Sequence, residues 1–206
     1  MIIYLAFGEL DSWLALDPLG RLLSRVSVDV EVRPMLGSLG NIVTRTKEGE
    51  SDPLADYKAR RARARNRAGQ RELERNCDML GITSHQGQRK VEPVMLSLGL
   101  LWINRQSGDW FEFCRAAFEQ TFRERGDVES LAGVTKLISA VDVNPGGFEE
   151  FVDAERAKLV DGAGELLEQG LLSAPALVLD GEIFHGREHL PLVGWMLHGR
   201  SGKPPV

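Results

Sequence analysis

The two cysteines are the first residues to consider as chemical groups, because paired thiols are the simplest redox centre a chain can carry. The chain contains only Cys77 and Cys114, and neither has a second cysteine at Cys-x-x-Cys spacing. Dithiol–disulfide exchange through such a motif is therefore excluded. Each cysteine instead falls on the apolar face of a predicted helix, where cysteine behaves as a small, inert hydrophobic residue.

A short polar segment near the N-terminus offers a second kind of chemistry. Glu9, Asp11 and Ser12 follow the apolar run Met1–Phe7 and open a predicted helix. Glu9 could act as a general base and Ser12 as a hydroxyl donor facing the same pocket. A helix N-terminus holds a carboxylate ionised, however, and such a base is poorly matched to neutral pH. The alternative is structural, with Glu9 and Asp11 as capping or solvated acids and Ser12 as a first-turn serine.

The four histidines form no metal-ligand spacing with cysteine or acidic residues, so the sequence predicts no metal site. His185 ends a predicted strand and is the histidine that we expect nearest to a pocket.

A run of arginines in the middle of the chain invites a nucleic-acid interpretation. On a helix they form a stripe opposite Leu73, Cys77 and Leu80, which is typical of a solvated face. Only Tyr57 places an aromatic ring among them, and the net charge of −5 gives no basic footprint. We therefore expect no nucleic-acid partner. The run comprises Arg60, Arg61, Arg63, Arg65, Arg67, Arg71 and Arg75.

Composition limits the class of protein further. The chain has 206 residues, of which 43% are hydrophobic and 27% charged, as in ordinary globular proteins. No uncharged stretch approaches the roughly 18 residues that a membrane span requires, so we expect no membrane partner. The N-terminus lacks the basic start of a signal peptide. The cytoplasm is therefore the expected location. The sequence allows a homodimer and does not determine the oligomeric state.

Hydrophobic patterns predict the elements that position these residues. Met1–Phe7 is typical of a strand buried on both faces, and the alternation over Val26–Arg33 predicts a half-buried second strand after an intervening helix. From about Asp52 to Gln169 the periodicity is helical, with Asp109 opening one helix and Gly126 ending it. Asp-Gly between residues 176–179 and 182–185 predicts a hairpin, and a last helix covers about Glu188–Leu197.

This order, β-α-β, a helical block and then β-β-α, is an α/β thioredoxin fold with an all-helical insertion between its two halves. We predict a thioredoxin-like domain from residues 1–51 and 170–206 and a helical insertion domain over residues 52–169.

Motifs at both ends of the chain resemble a known family. Residues 173–186 resemble the cis-proline, strand, Asp-Gly and strand signature of DsbA-like proteins. The signature is most similar to that of 2-hydroxychromene-2-carboxylate isomerases and kappa-class glutathione transferases. Residues 12–15, Ser-Trp-Leu-Ala, resemble the start of the first helix in those enzymes. Arg33-Pro34 and Leu80-Gly81-Ile82 also fit the pattern.

The resemblance implies a glutathione site. A cis Pro175 would present the backbone of Ala174 to a thiol peptide, as another strand would. Glu188 matches the acidic residue that meets the γ-glutamyl amine, while Arg187 stands where a small or amide residue is usual. The sulfur-handling serine of the family is replaced by Glu9, which cannot donate a hydrogen bond to a thiolate when ionised.

Two functions follow from these features. The first is a glutathione-dependent isomerase or transferase, with Glu9 and Ser12 at the catalytic position and a small aromatic or electrophilic substrate. Residues 174, 175, 187 and 188 would bind glutathione. The second is a catalytically inactive thioredoxin-fold binding protein that keeps the docking edge. Retention of the proline hairpin and the acidic residue suits both, and Glu9 favours the second.

Overall fold

A computed structural model describes residues 1–37 and 55–205, with side chains described outside residues 55–66. Its centre is a four-stranded sheet in the order β2-β1-β3-β4, formed by β1 (Ile2–Leu5), β2 (Glu31–Pro34), β3 (Ala176–Leu179) and β4 (Glu182–His185). β1 pairs in parallel with β2 and antiparallel with β3. Strands from the two ends of the chain therefore meet in one sheet, as predicted.

The β3–β4 hairpin is confirmed at the predicted residues. Asp180 and Gly181 both have positive φ angles, 52° and 83°. This is the backbone that a two-residue turn needs in order to match the twist of its strands.

The second strand is shorter than the alternation predicts. β2 begins at Glu31, because its partner β1 begins at Ile2 and the register pairs these two residues. Residues 26–30 extend past the first residue of β1, where β1 offers them no strand partner. Their alternating sequence therefore does not form strand hydrogen bonds with β1.

The first helix, α1 (Leu10–Leu23), begins where the polar segment predicts. Glu9 is its N-cap in extended conformation, and the buried side includes Trp13, Leu16 and Leu19. Trp13 stacks on Phe122 at a centroid distance of 5.7 Å. Aromatic pairs of this kind contribute about 0.5–1.5 kcal/mol beyond simple burial. This stack fixes α1 against the helical segment.

Between the two halves of the sheet the described chain is helical. The helices are α2 (Ala55–Leu80), α3 (Ser84–Gly87), α4 (Val94–Arg105), α5 (Trp110–Phe118), α6 (Leu131–Ala140) and α7 (Phe148–Glu168). A π-helical segment, Glu119–Glu124, continues α5, and a 3-10 helix, Arg187–His189, precedes α8 (Leu190–Leu197). None of the described helices is long and apolar enough to span a bilayer.

The predicted start of α5 is confirmed, and its end differs. Asp109 accepts hydrogen bonds from the backbone N–H groups of Phe111 and Glu112. The helix then widens into the π segment, and Arg125 in left-handed conformation terminates it one residue before Gly126.

The sequence patterns did not single out α4, which is buried along nearly its whole length. A helix that is apolar on all sides lacks the period by which a surface helix is recognised. It packs against α5, α6, α7 and β2. One continuous core joins the sheet to the helical segment, with members such as Ile3, Leu177, Leu96 and Phe113.

The arginine run lies on α2, which passes through Gly69 without a break. The side chains of Arg67, Arg71 and Arg75 are exposed, as expected for a solvated face. Those of Arg60, Arg61, Arg63 and Arg65 lie outside the described side chains, and residues 38–54 lie outside the described residues.

Candidate functional site

A groove of about 1030 Å³ brings together five of the six residues that the sequence predicted to be catalytic or glutathione-binding. It begins at the N-terminus of α1 and the loop before β3, and it continues between α1 and α8. Ser12 is not among the lining residues, whereas the other five are: Glu9, Ala174, Pro175, Arg187 and Glu188.

Ser12 is buried in the core, so its predicted position facing the pocket is wrong. Its side chain is 0% exposed, and its hydroxyl oxygen accepts a hydrogen bond of 3.0 Å from the backbone N–H of Ala6. This bond satisfies an N–H group just beyond β1, where the chain leaves the sheet. The residue stabilises the β1–α1 turn and cannot touch a ligand in the groove.

The loop before β3 closes the opposite wall. The Ala174–Pro175 peptide bond is cis, as the family resemblance predicted. The backbone N–H of Gly186 donates a 2.7 Å hydrogen bond to the carbonyl oxygen of Pro175. The loop and the end of β4 are therefore held together where both line the groove.

A polar network joins three elements at the start of the groove. Asn76, on α2 and only 5% exposed, donates to Asp11 Oδ1 at 3.2 Å through Nδ2. Its Oδ1 accepts from Arg187 Nη2 at 3.0 Å. Arg187 Nε also lies 3.5 Å from Asp11 Oδ1. The Arg187 guanidinium is thus held by Asp11 from α1 and Asn76 from α2.

Asp11 is an acid of this site with a shifted pKa. Partial burial raises its pKa above the ordinary aspartate value, and the negative charges of Glu72 and Glu188 act in the same direction. The nearby Arg187 guanidinium opposes the shift without cancelling it. A half-exposed carboxyl group with a raised pKa is suited to proton transfer, although the sequence predicted only a capping or solvated acid.

Glu188 extends from the 3-10 helix and is exposed at the groove. Together with Glu9, Asp11 and Glu72 it makes this end strongly acidic, with Arg187 as the cation among them. The negative charge of these carboxylates would attract a cationic group of a ligand, such as an ammonium group.

The cysteines take no part in the groove. Both are buried, and burial raises the pKa of each thiol, most strongly for the fully buried Cys114. Low thiolate content and lack of access make both unreactive. Within the described residues, no group of three or more His, Cys, Asp or Glu side chains is placed to hold a metal ion.

Sequence reasoning missed Asn76, because a single asparagine among charged residues of a helix carries no motif. It anticipated that His185 would lie close to the pocket, and His185 does line the groove. His185 Nε2 accepts a 3.1 Å hydrogen bond from the backbone N–H of Leu172. Arg21, Arg25 and His198, which line the other end, also had no signal in the sequence.

No protein-family model matches the chain, and no curated protein matches it. Its fold is similar to that of a 2-hydroxychromene-2-carboxylate isomerase, at TM-score 0.59 and 15% identity, covering 97% of this chain and 94% of that one. A protein described as a probable DsbA oxidoreductase from Streptomyces coelicolor has TM-score 0.65 and 15% identity, covering 100% and 92%.

A cytosolic disulfide reductase, DsbM from Pseudomonas aeruginosa, is similar at TM-score 0.53 and 13% identity, covering 89% of this chain and 88% of its own. The similarity extends over nearly the whole length of each protein and includes the helical segment between the halves of the sheet. The chain therefore has the DsbA-like thioredoxin fold.

Proposed function

We propose that the acidic end of the groove binds glutathione. We further propose that the protein is a glutathione-dependent isomerase or transferase of the 2-hydroxychromene-2-carboxylate isomerase type. The substrate would be a small aromatic or electrophilic compound, and the location the cytoplasm. The observation that carries the proposal is the convergence of the Ala174–Pro175 loop, Glu188 and the N-terminus of α1 on one groove.

The first supporting step concerns the peptide part of glutathione. The Ala174–Pro175 loop leads directly into β3 and lines the groove, so an extended peptide in the groove could align with the loop backbone as a further strand does. Glu188 supplies a carboxylate for the γ-glutamyl ammonium group, and its exposure leaves the carboxylate accessible. Charge-assisted hydrogen bonds of this kind are about twice as strong as neutral ones.

The second step concerns the proton chemistry. Ser12 is buried and Glu9 carries no hydroxyl group, so the usual donor to the glutathione sulfur is missing. Asp11 is two residues after Glu9, in the first turn of α1, and has a raised pKa. We assign it the role of the acid–base group, positioned by Asn76 and Arg187. Isomerisation of a small conjugated compound needs such a group to move a proton.

A disulfide oxidoreductase function does not fit the same groove. The family resemblance would put Glu9 and Ser12 at the two Cys-x-x-Cys positions, and both cysteines are buried elsewhere. The alternative that keeps a specific observation in its favour is a non-catalytic binding protein. The placement of Glu9 beside the expected sulfur favours it, because a carboxylate opposes a thiolate.

Calorimetric titration with glutathione and S-methyl glutathione tests the proposal. The wild type should bind both, and Glu188→Gln should weaken both, whereas Glu182→Gln, an exposed acid on β4 outside the groove, should not. Glu9→Ser should strengthen glutathione selectively by about 1–3 kcal/mol, the range for hydrogen bonds to charged groups. Asp11→Asn should abolish isomerisation without weakening glutathione.

If neither glutathione nor S-methyl glutathione binds at millimolar concentration, the proposed glutathione site is refuted. The binding-protein alternative would be favoured if glutathione binds tightly to the wild type and to Asp11→Asn and neither protein turns over an aromatic or electrophilic substrate.

A further inference from the structure

The groove continues well beyond the proposed glutathione site, between α1 and α8. The start of α1 meets the 3-10 helix that precedes α8, where Asp11 lies beside Arg187, and α1 also packs against α8. At Gly194 they approach so closely that an added Cβ would lie 3.1 Å from Leu22 Cδ1. The groove therefore has a far end, lined by the last turns of both helices.

The two ends carry opposite charge. The near end holds the carboxylates described above, whereas the far end has Arg21, Arg25 and His198 and, among the described side chains, no acid. Asp17, one turn before Arg21 on α1, does not line the groove. The groove lining also includes apolar residues, among them Pro18, Leu22 and Leu190.

The far-end cations are available to a ligand. Among the residues that the structure describes, neither Arg21 nor Arg25 has an ion pair or a side-chain hydrogen bond, and both are exposed. The carbonyl ends of α1 and α8 act against an anion here, with roughly −0.5 charge for each helix. Two full guanidinium charges outweigh these partial charges, so the far end stays positive.

His198 adds a directed group. Its Nδ1 lies 2.6 Å from the carbonyl oxygen of Gly194, which can only accept a hydrogen bond. The proton is therefore on Nδ1, and Nε2 is left as a hydrogen-bond acceptor.

We propose that Arg21 and Arg25 form an anion subsite for a carboxylate or phosphate group at the end of an apolar body, with His198 beside them in the groove lining. The apolar body lies against Pro18, Leu22 and Leu190. With a helical rise of about 1.5 Å per residue, the Arg21 backbone lies about 18 Å along α1 from Glu9. The subsite is thus too far away to be the glutathione pocket itself, and it stands whether or not glutathione binds.

Three matched probes test the subsite by calorimetric titration: 4-phenylbutyrate, the neutral 4-phenylbutanol, and 4-phenylbutyl phosphate. We expect the carboxylate to bind about five- to twentyfold more tightly than the alcohol, as two partly exposed ion pairs would provide. An Arg21→Gln, Arg25→Gln double variant should remove this difference. Arg200→Gln is the control, because Arg200 is exposed at the same end of the molecule but does not line the groove.

Equal binding of the acid and the alcohol would overturn the proposal, as would a loss of the same size in Arg200→Gln, which would indicate general surface charge. The phosphate should likewise bind more tightly than the alcohol to the wild type and lose that advantage in the double variant. Glutathione should bind the double variant and the wild type equally. If glutathione binds neither protein while phenylbutyrate keeps its arginine dependence, the proposed function fails and the subsite stands.

Discussion

Replacement of Asn76 by alanine should loosen the near end of the groove. The amide makes two hydrogen bonds to charged groups, at 3.2 Å to Asp11 and 3.0 Å from Arg187, and it is 5% exposed. A hydrogen bond to a charged group contributes about 1.5–3 kcal/mol when it is fully buried. Side-chain exposures of 48% for Asp11 and 32% for Arg187 let water replace part of each bond.

We therefore expect Asn76→Ala to lower the free energy of unfolding by about 1–3 kcal/mol in urea denaturation. Arg75→Ala, an exposed neighbour on α2, should change it by less than about 0.5 kcal/mol. Because Asn76 and Arg187 act through the same network, a double-mutant cycle with Arg187→Met should give a coupling energy of about 0.5–1.5 kcal/mol.

Additive effects in that cycle, within about 0.3 kcal/mol, would show that the amide and the guanidinium do not interact in solution. The acid–base role proposed for Asp11 would then lose its positioning residues. If the coupling is present and Asn76→Ala also lowers kcat with little effect on glutathione binding, the network positions the proton-transfer group.

Three further predictions follow from burial, charge and close packing. Neither Cys77 nor Cys114 should react with a thiol reagent in the folded protein, and both should react in denaturant; rapid labelling of either without unfolding would contradict their burial. Because the folded-state pKa of Asp11 is raised, its stabilising contribution is present below about pH 4, the unfolded value, and is lost as pH rises through the folded-state pKa. The Asp11→Asn variant should thus be more stable than the wild type at pH 7 but not at pH 3.5, as measured by urea unfolding at both pH values. If the variant is instead less stable than the wild type at pH 7, the ion pair between Asp11 and Arg187 outweighs the effect of burial. Gly133→Ala should destabilise the protein by more than about 2 kcal/mol, because the added Cβ would clash with the backbone oxygen of Asp127. Gly162→Ala is the control and should be neutral or stabilising, because an added Cβ there meets open space. Equal shifts in melting temperature for the two variants would refute the close contact.

Local patterns in the sequence determined much of the frame. The Asp-Gly hairpin, the cap at Asp109 and the apolar faces of the surface helices were predicted because each depends on residues within a few positions of one another. The absence of Cys-x-x-Cys is likewise a property of the sequence alone. The cis bond before Pro175 was predicted from the family resemblance, since propensity by itself favours the trans form.

Tertiary packing decided what the candidate site contains. Ser12 stands in the same short polar segment as Glu9 and Asp11, but the angle at which α1 packs turns its hydroxyl into the core. Asp11 acquires its partners from positions 65 and 176 residues further along the chain, namely Asn76 and Arg187. Its raised pKa depends on burial and on charges that these distant elements supply. The opposed charges of the two groove ends arise in the same way, because they depend on how α1 and α8 lie side by side and not on any local sequence pattern.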